Sequence, residues 1–163
     1  MKLLLVCLGN ICRSPMAEGA LRHHLQRSPL ASVVEVDSAG TGDDWHRGEP
    51  PDRRAVACAA AHDVDIAGLR ARQLRDRDFA EFDWLLCADA ANLRDVLQRA
   101  PASARERVAL WLPWAGVQGR SEIPDPYTGG SAQFEQVWQL VDEAAAGSVA
   151  RLSADLGSGI IGR

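Results

Sequence analysis

A cysteine and an arginine near the start of the chain, Cys7 and Arg13, are separated by five residues and stand between two different structural patterns. An apolar, strand-like run precedes Cys7, and apolar residues at helical spacing follow Pro15. A loop between a strand and a helix N-terminus binds phosphate, because free backbone N–H groups and the positive end of the helix dipole meet there. The same field favours a cysteine thiolate, and an arginine can hold two phosphate oxygens at once. This arrangement predicts a phosphatase that forms a phosphocysteine.

The spacing of Cys7 and Arg13 is weak evidence by itself. A cysteine at the end of a strand is commonly a buried structural residue, and an arginine commonly lies on the surface. The neighbouring residues favour the functional interpretation. Gly9 and Asn10 tolerate the positive φ of a tight loop. Ser14 is a favourable N-cap, and Pro15 suits the first turn of a helix.

A general acid is the second requirement of such a reaction, since the leaving oxygen departs more readily when protonated. Asp125 is the candidate, because Pro124 and Pro126 stiffen the segment that presents its carboxylate. Taken alone, an aspartate beside a proline is more often a turn residue.

Several segments together resemble the low molecular weight protein tyrosine phosphatases. The signature loop of that family is similar to CLGNICRSP at 7–15. The resemblance continues in the family's order over nearly the whole chain, through DSAGT at 37–41, GEPPDRRA at 48–55, DFAEFDWLLCAD at 78–89, NLRD at 92–95 and IPDPYTG at 123–129.

The resemblance implies a cysteine-dependent protein tyrosine phosphatase that needs no cofactor. Cys7 would attack phosphorus, Arg13 would hold the phosphoryl group and Asp125 would serve as acid and then as base. Ser14 would hydrogen-bond the sulfur, act as an N-cap, or do both. The phosphate-binding loop would comprise Leu8, Gly9, Asn10, Ile11, Cys12 and Ser14, with Asn10 shaping the loop. Partners would be phosphotyrosine-containing proteins, with a bacterial tyrosine kinase as one candidate, and inorganic phosphate would be the product.

The resemblance also implies roles around the loop. Trp45 and Tyr127 would wall the substrate pocket by stacking on an aromatic ring. Cys12 would form a reversible disulfide with the nucleophile, or else merely fill space as a small apolar residue. Asp52 and Asp89 would orient loops or neighbouring arginines. The chain departs from many relatives in one respect: Thr128 follows Tyr127 where they carry a second tyrosine.

Three alternative functions stay open at this point. Phosphoarginine phosphatases of the family tend to carry threonine where this chain has Ile11, and an apolar residue favours an aromatic substrate. Arsenate reductases of the same fold need a pair of resolving cysteines, and this chain offers only Cys87 in that region. A silent phosphotyrosine-binding module would need neither a thiolate nor an acid, so the presence of Cys7 and Asp125 argues against it.

Bulk properties exclude several classes of protein. A chain of 163 residues and 17.6 kDa fits one domain over 1–163, with a short C-terminal tail from about 157. The net charge of −4 argues against nucleic acid or an acidic membrane surface as partner. The first apolar run is too short for a signal peptide and no segment is long enough to span a bilayer, so we expect a cytoplasmic protein.

The cysteines form neither a disulfide framework nor a C-x2-C zinc motif, and no two histidines stand four residues apart. We therefore expect no metal. The four cysteines are at positions 7, 12, 58 and 87.

Strand and helix patterns alternate along the chain. Strands are predicted at 2–7, 33–38, 83–89 and 107–112, and helices at 15–27, 52–62, 76–81, 90–100 and 133–156. This alternation indicates an α/β three-layer sandwich, a four-stranded parallel sheet with helices on both faces. Ligands bind beyond the carboxyl ends of the strands in such sheets, and Cys7 ends the first strand. Four of the tryptophans are predicted to be packing residues: Trp84, Trp111, Trp114 and Trp138.

Overall fold

The central strand, β1 (Lys2–Cys7), is buried on both of its faces. In the computed structural model, which describes residues 1–159, Leu3 and Leu5 point into one hydrophobic cluster and Leu4 and Val6 into another. A continuous apolar run without alternation is typical of a parallel strand covered on both sides by helices. The run before Cys7 therefore has the local pattern that this position in the fold requires.

The sheet has four parallel strands in the order β2-β1-β3-β4. The outer strands are β2 (Glu35–Gly40), β3 (Trp84–Cys87) and β4 (Val108–Leu110). The carboxyl end of β1 is flanked by Gly40 of β2 on one side and by Cys87 of β3 on the other. The chain passes from β1 to β2 on one side of the sheet and then crosses to β3 on the other side of β1. The topological switch point therefore lies at the carboxyl end of β1, at Cys7.

Helices cover both faces, which confirms the predicted three-layer α/β sandwich. One layer contains α1 (Arg13–Gln26), α2 (Arg53–Ala61), α5 (Trp111–Trp114) and α6 (Ser131–Gly157), packed on the Leu3 and Leu5 side. The other layer contains α3 (Asp78–Glu81) and α4 (Ala90–Arg99), whose apolar residues pack on Leu4 and Val6.

The largest difference from the predicted elements is at 107–112. The fourth strand ends at Leu110, and the next residues form α5 instead of continuing the strand. Pro113 has no N–H group to offer a sheet, and the buried indole N–H of Trp111 donates to the Ser148 hydroxyl of α6 at 2.9 Å. The four packing tryptophans are confirmed as such: Trp111, Trp114 and Trp138 are buried, and Trp84 packs against the same core.

The remaining bounds agree with the predictions to within about two residues. Two 3₁₀ turns, Asp44–His46 and Ala102–Arg107, were not predicted. The helix α6 ends at Gly157, where the tail was expected to begin, and residues 160–163 of that tail lie outside the described residues. The extent of the single domain stays a prediction. Within residues 1–159, no helix combines the length and apolar character needed to cross a bilayer.

Candidate active site

The loop between β1 and α1 turns sharply at Asn10, which has a positive φ of 57°. Gly9, which also tolerates such a conformation, does not adopt it. Within residues 1–159, the backbone N–H groups of residues 8–12 donate to no protein acceptor. Together with the first turn of α1, they form a concentration of free donors at a helix N-terminus, which is an anion-binding arrangement.

Of the two roles predicted for Ser14, the hydrogen bond to the Cys7 sulfur is confirmed and the N-cap role is wrong. The N-cap residue of α1 is Cys12, and no side chain caps the helix. Ser14 lies within the first turn, with its hydroxyl oxygen 3.0 Å from the Cys7 sulfur. The serine thus contacts the loop and Cys7 rather than capping the helix end.

The direction of the Ser14 hydroxyl follows from its neighbours. The Asn10 amide nitrogen donates to the oxygens of Ser14 at 2.7 Å and Ser38 at 2.9 Å. The backbone N–H of Arg72 donates to the Asn10 amide oxygen at 3.0 Å, which fixes the orientation of the amide. Because Ser14 accepts from Asn10, its own proton is available for a hydrogen bond to the Cys7 sulfur. Ser38 in turn donates to the buried carboxylate of Glu18 at 2.8 Å.

Arg13 is almost fully buried and is held from behind. One guanidinium nitrogen donates to Asp89 at 2.6 Å and to the carbonyl oxygen of Ile123 at 2.9 Å. Burial opposes the positive charge, but interaction with Cys7 and the hydrogen bond that Arg13 donates to Asp89 prevail and raise the pKa of Arg13. The arginine is therefore a permanent, oriented cation beside Cys7, and Asp89 orients it, as the family resemblance implied.

Asp125 lies across from Arg13 on the loop that precedes α6. Its carboxylate is half-exposed and comes within 3.8 Å of the second guanidinium nitrogen of Arg13. The backbone N–H of Tyr127 donates to the other carboxylate oxygen at 3.1 Å. The acid candidate and the phosphate-holding candidate, distant in sequence, thus meet at the carboxyl edge of the sheet.

The loop that carries Asp125 is attached to α2 by Arg54. This guanidinium donates to the carbonyl oxygens of Tyr127 at 2.8 Å and Gly129 at 2.9 Å. Asp52 accepts two further hydrogen bonds from it at 2.9 and 3.0 Å, and these bonds lower the pKa of Asp52. Asp52 thus positions an arginine, as predicted, while Arg54 itself was missed.

A cleft of about 660 Å³ opens above Cys7 and brings the predicted residues together. Trp45 and Tyr127 stand at its rim with 78% and 52% of their surface exposed, which is unusual for side chains of their size. Asn10 and Ser14 lie behind the loop rather than in the cleft. The predicted residues in its lining are Cys7, Leu8, Gly9, Ile11, Cys12, Arg13, Trp45, Asp125 and Tyr127. Five further lining residues were missed by sequence reasoning: Thr41, Gly42, Asp43, His46 and Asp95.

Cys12 lines the same cleft as Cys7, and both are free thiols. Burial raises the pKa of Cys12 to about 12, and the negative charge of Asp52 adds to the effect. In the reduced protein Cys12 is therefore a neutral thiol in the same cleft as Cys7.

Comparison with known proteins matches residues 2–158 to the model of the family described as low molecular weight phosphotyrosine protein phosphatase. The chain belongs to this family. A low molecular weight protein-tyrosine-phosphatase of Streptomyces coelicolor is 39% identical over 148 residues, 89% of each chain. The family membership makes this protein an enzyme of the protein-tyrosine-phosphatase class.

Solved structures agree with this assignment. A protein tyrosine phosphatase from Entamoeba histolytica, with Hepes in its active site, is similar with a TM-score of 0.90 and 31% identity, over 96% of this chain and 99% of that one. Vibrio vulnificus Wzb in complex with benzylphosphonate is similar with a TM-score of 0.80 and 32% identity, over 92% and 97% of the two chains.

The residues missed by sequence reasoning carry different amounts of signal. Ser38 and Arg54 lie inside segments that resemble the phosphatase family, but their roles depend on contacts between elements. His46 lies in a 3₁₀ turn and its ring approaches Gly9, with no motif around it in the sequence. The hydrogen-bond network behind the phosphatase loop is therefore a property of the fold, and no spacing reveals it.

Proposed function

We propose that this phosphatase hydrolyses phosphotyrosine through a phosphocysteine intermediate. The Cys7 thiolate attacks phosphorus, a sulfur–phosphorus bond forms and the bond to the tyrosine oxygen breaks. Asp125 donates its proton to that oxygen. In the second step Asp125 takes a proton from water, the water oxygen attacks phosphorus, and Cys7 leaves as a thiolate while inorganic phosphate is released.

The observation that carries this proposal is the position of three side chains in one cleft. The Cys7 sulfur has a hydroxyl donor at 3.0 Å, and Arg13 and Asp125 lie 3.8 Å apart beside it. A buried, oriented arginine and free N–H groups can neutralise the phosphoryl oxygens through the transition state. Ser14 would assist the departure of sulfur, since its proton is directed to Cys7.

Selectivity for phosphotyrosine follows in this proposal from the walls of the cleft. Trp45 and Tyr127 would stack on the ring, and Ile11 adds apolar surface to the lining. The benzylphosphonate bound by Vibrio vulnificus Wzb carries both an aromatic ring and a phosphonate, which supports an aryl phosphate as substrate. We propose phosphotyrosine-containing proteins as partners, a bacterial tyrosine kinase among them, and a cytoplasmic location.

The alternatives of the same fold find less support. Ile11 lies in the cleft lining, where an apolar side chain suits an aromatic ring better than a phosphoguanidinium group. Cys87 is completely buried in β3, and burial raises the pKa of its thiol far above neutrality. It is therefore poorly suited to act as the resolving cysteine of an arsenate reductase.

Reversible oxidation is a further part of the proposal. Peroxide would oxidise Cys7 to a sulfenic acid, and the Cys12 sulfur would then displace water to form a Cys7–Cys12 disulfide. Mild peroxide followed by dithiothreitol tests this. Wild type should recover its activity, whereas Cys12→Ser should recover less; equal recovery would refute the protective role of Cys12.

Aryl phosphate hydrolysis in EDTA tests the mechanism. We expect complete loss in Cys7→Ser and a decrease of roughly 10²–10⁴-fold in Asp125→Ala, the range typical of a positioned general acid. Cys58→Ser, which changes a cysteine outside the cleft, is the matched control and should keep full activity. Residual turnover in Cys7→Ser, or a need for added metal, would contradict the mechanism. Equal cleavage of phosphoserine peptides would refute the proposed selectivity.

A further inference from the structure

Three side chains with metal-binding atoms meet on the surface shared by α2 and α6, outside the catalytic cleft. Cys58 lies on α2, and His62, four residues later, is the residue that caps its C-terminus, so the two side chains share a face. Glu135, from the start of α6, lies opposite them. One ligand atom from each of the three lies within 4.8 Å of the other two, and within residues 1–159 no other group of three metal-binding side chains does so.

Two of the three separations between these atoms are close to those of a tetrahedral zinc site, and the third, between Cys58 and His62, is within 4.8 Å. The His62 Nε2 atom lies 2.9 Å from the carboxylate oxygens of Glu135, and the Cys58 sulfur lies 3.6 Å from one of them. With zinc–ligand distances of about 2.0–2.3 Å, the edges of a tetrahedron measure roughly 3.3–3.6 Å. Only a small opening between His62 and Glu135 would be needed to admit the ion.

The surroundings hold two of the three ligands in place. The side-chain amide of Gln139 donates to Glu135 at 2.8 Å. The His62 ring is stacked on Trp138 with centroids 5.1 Å apart and planes at 14°. Contacts of this kind orient metal ligands in proteins. A groove of about 500 Å³ lined by Cys58 and Glu135 gives access from solvent.

We propose that Cys58, His62 and Glu135 bind a zinc ion and so fasten α2 to α6, with water as the fourth ligand. A thiolate, an imidazole and a carboxylate are ligands that zinc accepts, and their combined charge of −2 balances the ion. The Cys58 thiol donates its hydrogen bond to Glu135 in the protein without metal. Binding replaces that proton with zinc and releases it to solvent.

This site is separate from catalysis, because none of its three residues lines the catalytic cleft. The proposal goes beyond the phosphatase activity and leaves its metal independence untouched. The absence of a metal was expected from the lack of a C-x2-C motif and of histidines four residues apart. A cysteine and a histidine four residues apart, as at Cys58 and His62, were not weighed in that expectation.

Cobalt binding locates the site, because a thiolate bound to Co²⁺ gives a charge-transfer absorption band. The band should appear in the full-length wild type and in Cys7→Ser, and it should be lost in Cys58→Ser. Loss in Cys7→Ser with retention in Cys58→Ser would place the ion at the catalytic loop and overturn the proposal. Absence of the band in wild type would overturn it as well.

Zinc affinity gives a second, independent readout. Glu135→Gln keeps the size of the side chain and its contact with Gln139, so the fold should be retained. We expect its zinc dissociation constant to rise by at least roughly 10–100-fold. Changes to residues that only contact a metal ligand cause losses of this size, and Glu135 is itself a proposed ligand. The melting temperature of wild type should rise with the logarithm of zinc concentration, and that of Cys58→Ser should not. Equal zinc responses in the variants and wild type would refute the site.

Discussion

Replacing Asn10 by alanine should damage both the stability and the second catalytic step of the phosphatase. The buried amide makes three hydrogen bonds, to Ser14, Ser38 and the backbone N–H of Arg72. At about 1 kcal/mol net for each bond, their loss costs about 3 kcal/mol of unfolding free energy. Alanine at a φ of 57° adds about 1–2 kcal/mol of backbone strain. We expect Asn10→Ala to be destabilised by about 4–5 kcal/mol.

A glycine at the same position separates the two contributions. Asn10→Gly relieves the strain at positive φ but makes none of the side-chain hydrogen bonds, so it should be more stable than Asn10→Ala by about 1 kcal/mol. Both variants should lose activity alike, because in both Ser14 is no longer fixed with its proton towards Cys7. Loss of a hydrogen bond to a charged sulfur, about 1.5 kcal/mol or more, corresponds to at least roughly a tenfold decrease in turnover.

Urea denaturation and rapid-mixing kinetics with an aryl phosphate measure these effects. If Ser14 assists the departure of sulfur, the phosphocysteine should accumulate in both Asn10 variants and give a burst of the aryl alcohol. Restored turnover in Asn10→Gly would show that backbone strain, and not the hydrogen bonds, controls the loop. A stability of Asn10→Ala within about 0.5 kcal/mol of wild type would refute the network as described, since that is the range of surface substitutions.

Three other perturbations test separate parts of the structure. Arg54→Lys should lower kcat by about tenfold, because the loop that carries Asp125 loses hydrogen bonds from the guanidinium. The decrease should be larger for substrates with poor leaving groups than for those with good ones, and equal decreases for both would contradict this. Gly147→Ala should lower the melting temperature, although alanine normally favours a helix, because its methyl group would overlap the Ala115 carbonyl oxygen. In the control variant Gly157→Ala the added methyl group meets no atom within 4 Å, so the melting temperature should not fall. With the pKa of Cys12 raised to about 12, its thiolate fraction increases about tenfold per pH unit below that value. Disulfide formation after peroxide should therefore accelerate by roughly a hundredfold from pH 7 to 9. A rate that stays flat over this range, measured by thiol trapping, would exclude Cys12 as the attacking group.

The sequence predicted the parts of the site that are contiguous. Cys7 and Arg13 belong to one strand–loop–helix unit, so their relation follows from local pattern and from the chemistry of helix N-termini. Asp125 needed the family resemblance, because an aspartate between prolines has no chemical signature of its own. Arg54 and Ser38 were missed because an arginine on a helix and a serine in a strand acquire their roles only through packing against other elements. The parallel sheet was predictable from local pattern, because the two inner strands, β1 and β3, carry continuous apolar runs and helices alternate with strands along the chain.

The incorrect N-cap prediction for Ser14 has a physical explanation in the proposed chemistry. A serine at the N-cap would have satisfied an N–H group of the first helical turn, which normally stabilises a helix by about 1 kcal/mol. In this loop the N-cap is Cys12, whose side chain makes no such bond, and Ser14 directs its hydroxyl to Cys7 instead. A capping side chain would occupy donors that a phosphoryl group needs. In the proposed chemistry, α1 therefore gives up the stability of a capping side chain so that its N-terminal N–H groups are free to bind the substrate phosphate. The usual capping rule fails at this position because phosphate binding replaces capping.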